Sequence, residues 1–364
     1  MSKVTYKITL TPVEGYFFGG ETTFGEGQAK NYFAKSNLLP QETALLGMLR
    51  YQILKLKGLL SATADQKKAV ESAVGEKSFN YCDYEKDFSF GAIKRISPVF
   101  IGQAGDLFCK IPFNKDLAVS FRSDCKVFLG ESGEGAELPS IKGFVSKDYN
   151  SDRWYSLDTD QGKIYTDHDI FFFKDKIGIT KYLPEYMNNN EECFFKTRAC
   201  YLRDGFHFVF YAELDEDMVK LPDNDWVQLG AERSVFKMSV QKTASNGIAC
   251  LTEKWQANWG KQLGEVESDI VQFFFISDAF IPEEVLRLCK FAWIDTKPFR
   301  NLTRNWKSGK NYAALNTANE KSDKYNIVRR GSLLCVGKEQ WEKVESLITN
   351  DYLIKGGYNI YLKK

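Results

Sequence analysis

The stretch "WVQLGAERSVFKMSV", Trp226 to Val240, reads as a strand, a tight glycine turn with Glu232 and Arg233 at its tip, and a second strand. Three structures answer to that reading: a plain hairpin, a phosphate cradle of a nucleotide-using enzyme, and a backbone clamp on a polynucleotide. Glycine suits the last two because a backbone without a Cβ can approach a sugar-phosphate chain and turn its N–H groups toward phosphate oxygens. Arg233 and Lys237 would add charge to such a loop. A simple hairpin needs none of this, and on the residues alone it stays open.

Outward from that turn, the pattern is one of strands and few helices. "VTYKITLTP" (4–12) alternates, carries β-branched residues and stops at Pro12. A glycine-rich stretch, "EGYFFGGETTFGEGQAKNYF" (14–33), leads to "LLPQETALLGMLRYQILKLKG" (38–58). Its apolar spacing is helical, with Pro40 suited to the first turn and Gly58 to the end. "ISPVFIGQAGDLFCKIP" (96–112) reads as a hairpin around Gly102–Gly105, and 115–165 as an insertion or looser subdomain. The stretches 168–182 and 193–214 are strand-rich, with a turn at 203–205, and the acidic segment 213–225 reads as a surface connection. Further on, "SDIVQFFFIS" (268–277) is a strand and "PEEVLRLCKFA" (282–292) a helix opened by Pro282. "NIVRRGSLLCVG" (326–337) is a strand pair around Gly331, "KEQWEKVESLI" (338–348) a helix, and "GGYNIYLKK" a closing strand. Two α+β units of mostly antiparallel sheet, 1–190 and 191–364, fit this order better than alternating βαβ units.

Composition narrows the function classes. With 43% hydrophobic and 15% aromatic residues in 364, the chain can bury a substantial core. A net charge of +1 neither demands nor forbids a nucleic-acid partner, so local charge decides. Eight cysteines lie at scattered positions with no CxxC pair, which leaves no zinc spacing and reads as reduced core thiols. The N-terminal stretch lacks the apolar run of a signal peptide, and the longest apolar patch, "VQFFFI" at 271–276, is of strand length; the expectation is a soluble, cytoplasmic protein. The phosphate-cradle reading fails for want of GxxxxGK[ST] or GxGxxG spacing. Neither GxSxG nor HExxH occurs, and the two histidines, His168 and His207, have no catalytic or ligand context, His207 being read as an ordinary strand residue. No cofactor and no metal are expected.

Charge placement says more. From Arg287 to Arg330 there are eleven basic residues against three acidic ones, interleaved with Trp293, Phe299, Trp306, Tyr312 and Tyr325. Basic groups neutralise phosphates and flat rings stack on unpaired bases, which is the chemistry of single-stranded RNA binding. The alternative is a solvated loop whose aromatics pack inward.

Taken in order, "LTPVEGYFFGGETTFGEG", "SNLLPQETALLGMLR", "SPVFIGQAGDLFCKIP", "FKDKIGITKY", "LGAERSVFKM" and "VRRGSLLCVG" resemble the RAMP (repeat-associated mysterious protein) superfamily. Within it the chain is most similar to the third subunits of the Cmr-type, type III-B CRISPR effector complex. Two departures stand out: Ala231 where a second glycine is common, and "GGE" where many members carry Arg-Asp-Gly. The resemblance implies an α+β fold of two ferredoxin-like (RRM-like) domains with antiparallel sheets and glycine-rich loops. The first would span 1–190, with an inserted hairpin or thumb near 115–165, and the second 191–364. It implies a non-catalytic, antiviral-defence subunit that holds the 5′ handle of the crRNA and bridges a large polymerase-like subunit to backbone RAMP subunits. The expected RNA contacts are Lys30, Lys35, Arg50, Lys176, Gly178, Gly230, Arg233, Lys237, Arg304, Lys307, Arg329 and Arg330. The competing expectations are a metal-independent RAMP endoribonuclease that processes precursor RNA, with His168 or His207 as its base, and a protein scaffold with no RNA role.

Overall fold

The computed structural model describes residues 3–19, 31–83, 89–110, 118–128, 135–142, 153–158, 164–179, 194–230, 232–243, 247–262, 269–304 and 319–364. The first part of the chain forms β1 (Lys3–Pro12), β2 (Asn31–Lys35), α1 (Glu42–Leu56), α2 (Lys67–Val74), β3 (Ile93–Ile96), β4 (Phe100–Gln103) and β5 (Asp106–Lys110). It continues through β6 (Ala118–Phe128), β7 (Gly135–Lys142), β8 (Arg153–Ser156), β9 (Tyr165–Thr166), α3 (Asp167–Ile170), β10 (Phe171–Ile179) and β11 (Phe194–Leu202). Next come β12 (His207–Asp215), β13 (Asn224–Leu229), β14 (Ser234–Lys242), α4 (Ile248–Gln262), β15 (Ile270–Phe275), α5 (Glu283–Leu288) and β16 (Cys289–Trp293). The last elements are β17 (Thr296–Phe299), β18 (Leu302–Arg304), β19 (Asn319–Lys321), β20 (Tyr325–Val328), β21 (Leu333–Gly337), α6 (Trp341–Ile348), α7 (Asp351–Lys355) and β22 (Tyr361–Lys363).

The architecture is α+β, as expected, and its centre is a nine-stranded sheet in the order β13-β14-β1-β12-β4-β5-β8-β9, with β3 also on β12. All its pairings are antiparallel. β1 lies between β12 and β14, so its alternating Val4, Tyr6, Ile8 and Leu10 are buried while both its edges are hydrogen-bonded. Pro12, which has no N–H to give a ladder, sits at the strand's end. The sheet therefore joins strands from both sides of position 190.

β12 explains why "FHFVFYAEL" reads as nearly continuous apolar sequence: it is covered on both faces. Phe208, Phe210, Ala212 and Leu214 face the larger core, beneath Leu45, Leu49 and Ile53 of α1. Val209 and Tyr211 face the other way, against Ile248 and Trp255 of α4 and against Phe274, Leu333 and Leu362. Those last residues belong to a four-stranded sheet, β16-β21-β15-β22, whose far side packs on Val344 and Ile348 of α6. A third sheet, β10-β11-β2, pairs β10 with β11 antiparallel and β2 with β11 parallel.

Several expectations meet the structure closely. The helix expected over 38–58 is α1, and the hairpin expected over 96–112 is β4–β5, turned by Ala104 and Gly105 with φ of 51° and 97°. That doubly left-handed turn matches the twist of the strands it joins. Others need correction. "PEEVLRLCKFA" is helical only to Leu288; Cys289 to Trp293 extend instead because β21 offers them a ladder. The strands around Gly331 do not pair with each other: β20 pairs with β17, and β21 with β15 and β16. α4 was not anticipated at all. In the inserted region, β6 and β7 form a hairpin of their own; the rest of the stretch near 115–165 lies partly outside the described residues.

Candidate nucleic-acid interface

The turn after β13 is a hairpin turn, and its glycine has a structural cause. Gly230 has a φ of +91°, and a Cβ there would stand 2.5 Å from the carbonyl oxygen of Phe17. The hairpin is laid against the chain that follows β1: Val13 N–H donates to the Val235 carbonyl at 3.1 Å, and Phe17 N–H to Ser234 Oγ at 3.4 Å. Arg233, at φ +53°, closes the turn by donating its N–H to the Gly230 carbonyl and holds its side chain exposed. Packing thus requires the glycine, and the same turn presents a cation.

Between this hairpin and α1 runs a cleft of about 920 Å³, lined also by Phe18, Gly19, Arg300 and Asn301. Among the described residues four basic ones line it, Arg50, Lys55, Arg233 and Arg300, and no acidic one does. Arg50 is held in place by donating through Nη1 to the carbonyls of Val74 and Lys77, at 2.5 and 2.7 Å. Those carbonyls lie at and beyond the C-terminal end of α2, where a cation is favoured. Lys55 Nζ lies 2.9 Å from Asp225 Oδ2, and the hydrogen bond it donates holds the Asp225 carboxyl below the usual value. Tyr51 and Trp226, 56% and 60% exposed, also line the cleft. Gln52 belongs to the same lining, 2% exposed, with its Oε1 buried and without a hydrogen-bond partner among the described residues.

The expected contacts divide among several places. Arg50, Gly230 and Arg233 meet at the cleft. Lys237 is exposed on β14, in register with Trp226. Lys35, Lys176 and Gly178 lie instead on the β10-β11-β2 sheet, where Lys35 Nζ sits 4.7 Å from the Phe173 ring centre. One face of that sheet carries residues the sequence reading missed. Lys196 and Arg198 cover the ring of Phe33, which is 48% exposed, and both bond Asp175, at 2.8 and 2.6 Å. The hydrogen bonds from Arg198 and Lys196 hold the Asp175 carboxyl far below the usual range. Only the register of β10, β11 and β2 brings these groups together.

The basic run 287–330 lies partly outside the described residues. Arg329 is exposed but pairs with Asp295 at 3.0 Å. Arg330, its neighbour, corrects the expectation of a surface cation: it is buried, bonds Glu42 Oε1, and donates to the Val99 carbonyl. Asp278 lies beside it and takes Lys297 at 2.5 Å. Burial pushes the Glu42 carboxyl up to about 7 against the pull of Arg330. Burial would also raise Asp278, but Lys297 and Arg330 outweigh it and hold it below its ordinary value. Arg304 falls in β18, whose backbone alone is described, and Lys30 and Lys307 lie outside the described residues. Neither His168 nor His207 lines the cleft. His207 is half-buried opposite Gly102, and desolvation together with Lys7 lowers its pKa. Among the described residues no group of three or more His, Cys, Asp or Glu could hold a metal ion, and no helix is long and apolar enough to cross a membrane.

Comparison with known proteins follows on this geometry. The model of the family described as CRISPR-associated protein (Cas_Cmr3) matches residues 8–299. No curated protein matches. Among solved structures, a chain of the type III-B Cmr-beta bound to cognate target RNA and AMPPnP, state 1, superposes with a TM-score of 0.50 at 13% identity, over 97% of this chain and 94% of that one. A chain of the type III-B Cmr-beta bound to cognate target RNA gives 0.49 at 12%, over 98% and 96%. One from the Csm3-Csm4 subcomplex of the type III-A CRISPR-Cas interference complex gives 0.40 at 9%, over 91% and 94%. At 13% identity, the likeness in the first of these speaks for the fold alone.

Proposed function

The chain belongs to the Cas_Cmr3 family of CRISPR-associated proteins, and from that premise we propose that it is an RNA-binding subunit of a type III-B effector complex. In this reading it holds the 5′ handle of the crRNA and bridges the large polymerase-like subunit to the backbone RAMP subunits in antiviral defence, in the cytoplasm and without catalysis of its own. Its sheets correspond to paired ferredoxin-like units, and the β6–β7 hairpin belongs to the inserted thumb.

The observation that carries the reading is the charge of the cleft: among the described residues, four basic ones, no acidic one, and two exposed rings. An anionic chain with splayed bases matches both features, because guanidinium and ammonium groups neutralise phosphates while Tyr51 and Trp226 stack bases. The Phe33, Lys35, Lys196 and Arg198 face extends the same chemistry to a second surface.

The test is affinity purification of the tagged chain from cells carrying its native operon, with sequencing of the RNA that accompanies it. Guide RNAs sharing one repeat-derived 5′ end, together with a large polymerase-like partner, are the expected result. Recovery of neither overturns the reading. Cleavage of precursor RNA by the purified chain, abolished by His168→Ala or His207→Ala, would replace it with the nuclease.

A further inference from the structure

Most of α1's inward face is apolar: Leu45, Leu49 and Ile53 are each fully buried. Gln52 interrupts it. It is 2% exposed, its Oε1 has no partner among the described residues, and it belongs to the lining of the cleft. An unpaired amide oxygen in such a place costs stability that a leucine of similar size would not. A second amide in the same lining is in the same condition: Asn301 gives its Nδ2 to the Phe79 carbonyl and keeps a buried Oδ1 without a partner among the described residues. Two orphaned amide oxygens in one basic, aromatic-flanked cleft describe a lining whose hydrogen bonds are completed by something that enters it.

We propose that Gln52 is a specificity-determining residue which reads the edge of one nucleobase of a single-stranded RNA seated in the α1–hairpin cleft. This rests on the RNA-binding reading above and adds to it the residue that discriminates. The chemistry fits the side chain: an amide offers an acceptor and a donor in one plane, the pattern that matches a base edge two hydrogen bonds at a time. The occupant is a nucleobase because the lining cations call for a phosphate chain and the Tyr51 and Trp226 faces call for flat partners. Gln52 shares its helical stripe with Met48, one turn before, and Lys55, nearly one turn after. Both are unbranched and line the cleft beside Gln52, so in this proposal a base that reaches the amide moves them aside. Arg50 and Arg233 position the chain without reading it.

The test uses the full-length chain and Gln52→Leu, with short single-stranded RNAs of one length in which each position in turn is A, C, G, U or abasic. Binding is followed by fluorescence anisotropy and stability by thermal unfolding. The wild type is expected to prefer one base at one position by about 5- to 150-fold, the range of a good bidentate contact. In Gln52→Leu that preference falls below about twofold, affinity for the abasic RNA is unchanged, and the melting temperature is equal to or above that of the wild type. Gln52→Glu, which keeps the acceptor and loses the donor, shifts the preferred base. Preference retained in Gln52→Leu overturns the proposal, as does an equal loss for every RNA with a lowered melting temperature, which marks a packing role. A wild type that binds RNA with no preference at any position overturns it while leaving RNA binding intact. A wild type that binds none of the RNAs overturns both.

Discussion

Arg329 and Arg330 are adjacent and identical in the sequence, yet one is exposed on Asp295 and the other is buried on Glu42, 288 residues away. Nothing local separates them; the difference appears only once α1 brings Glu42 to the turn after β20. Removing one partner of a buried pair strands the other charge, so Arg330→Leu is expected to lose about 3–5 kcal/mol of stability at pH 8, read by urea unfolding. Glu42 supplies a pH signature. Its folded value of about 7 lies above its ordinary 4.5, so between these the folded chain keeps a proton that the unfolded chain has lost. Its contribution is therefore largest below about 4.5 and falls as pH rises to about 7. Unfolding at a series of pH values should show that fall flattened in Glu42→Gln. Gly230 was legible as a special position, though its cause was not: the sequence suggests approach to a ligand, whereas the atom it approaches is the Phe17 carbonyl. Gly230→Ala combines that clash with a left-handed φ and should cost about 1–3 kcal/mol, seen as a lowered melting temperature.

At the level of elements, periodicity gave what it physically encodes. α1 and β1 have one buried face each, and their spacing announces it. α4 carries Trp255 as its main buried anchor among polar neighbours, so its stripe is too thin to read. The short α5 passes directly into β16, and no breaker residue marks the change. The β10-β11-β2 sheet was legible as strands but not as a surface, because Phe33, Asp175, Lys196 and Arg198 share a face only through register. A prediction belongs to that face. Asp175 holds both Lys196 and Arg198, so Asp175→Asn releases two cations toward the solvent. RNA retention should become tighter at low salt, with a slope against log salt concentration steeper by about one phosphate contact. Anisotropy titrations from low to moderate salt check this, and an unchanged slope would place the RNA elsewhere.

At the scale of the whole molecule, antiparallel α+β character could be read from the order of strands, but their partners could not. Pairing is a property of distance through space, and β1 finds its neighbours at 207–215 and 234–242. Separate expression of residues 1–190 and 191–364 should therefore yield fragments without cooperative unfolding, each lacking part of the central sheet; co-expression should restore it, as followed by circular dichroism and gel filtration. The position of β1 also has a consequence for biosynthesis. It leaves the ribosome well before either partner, so one edge stays open until Asp215 has been made and the other until Lys242. At about 5–20 residues per second that is a wait of roughly 10–45 s. For that interval the nascent chain carries an apolar strand with at least one open edge, a template for mispairing with its neighbours on the same message. The cell must shelter it or translate it quickly.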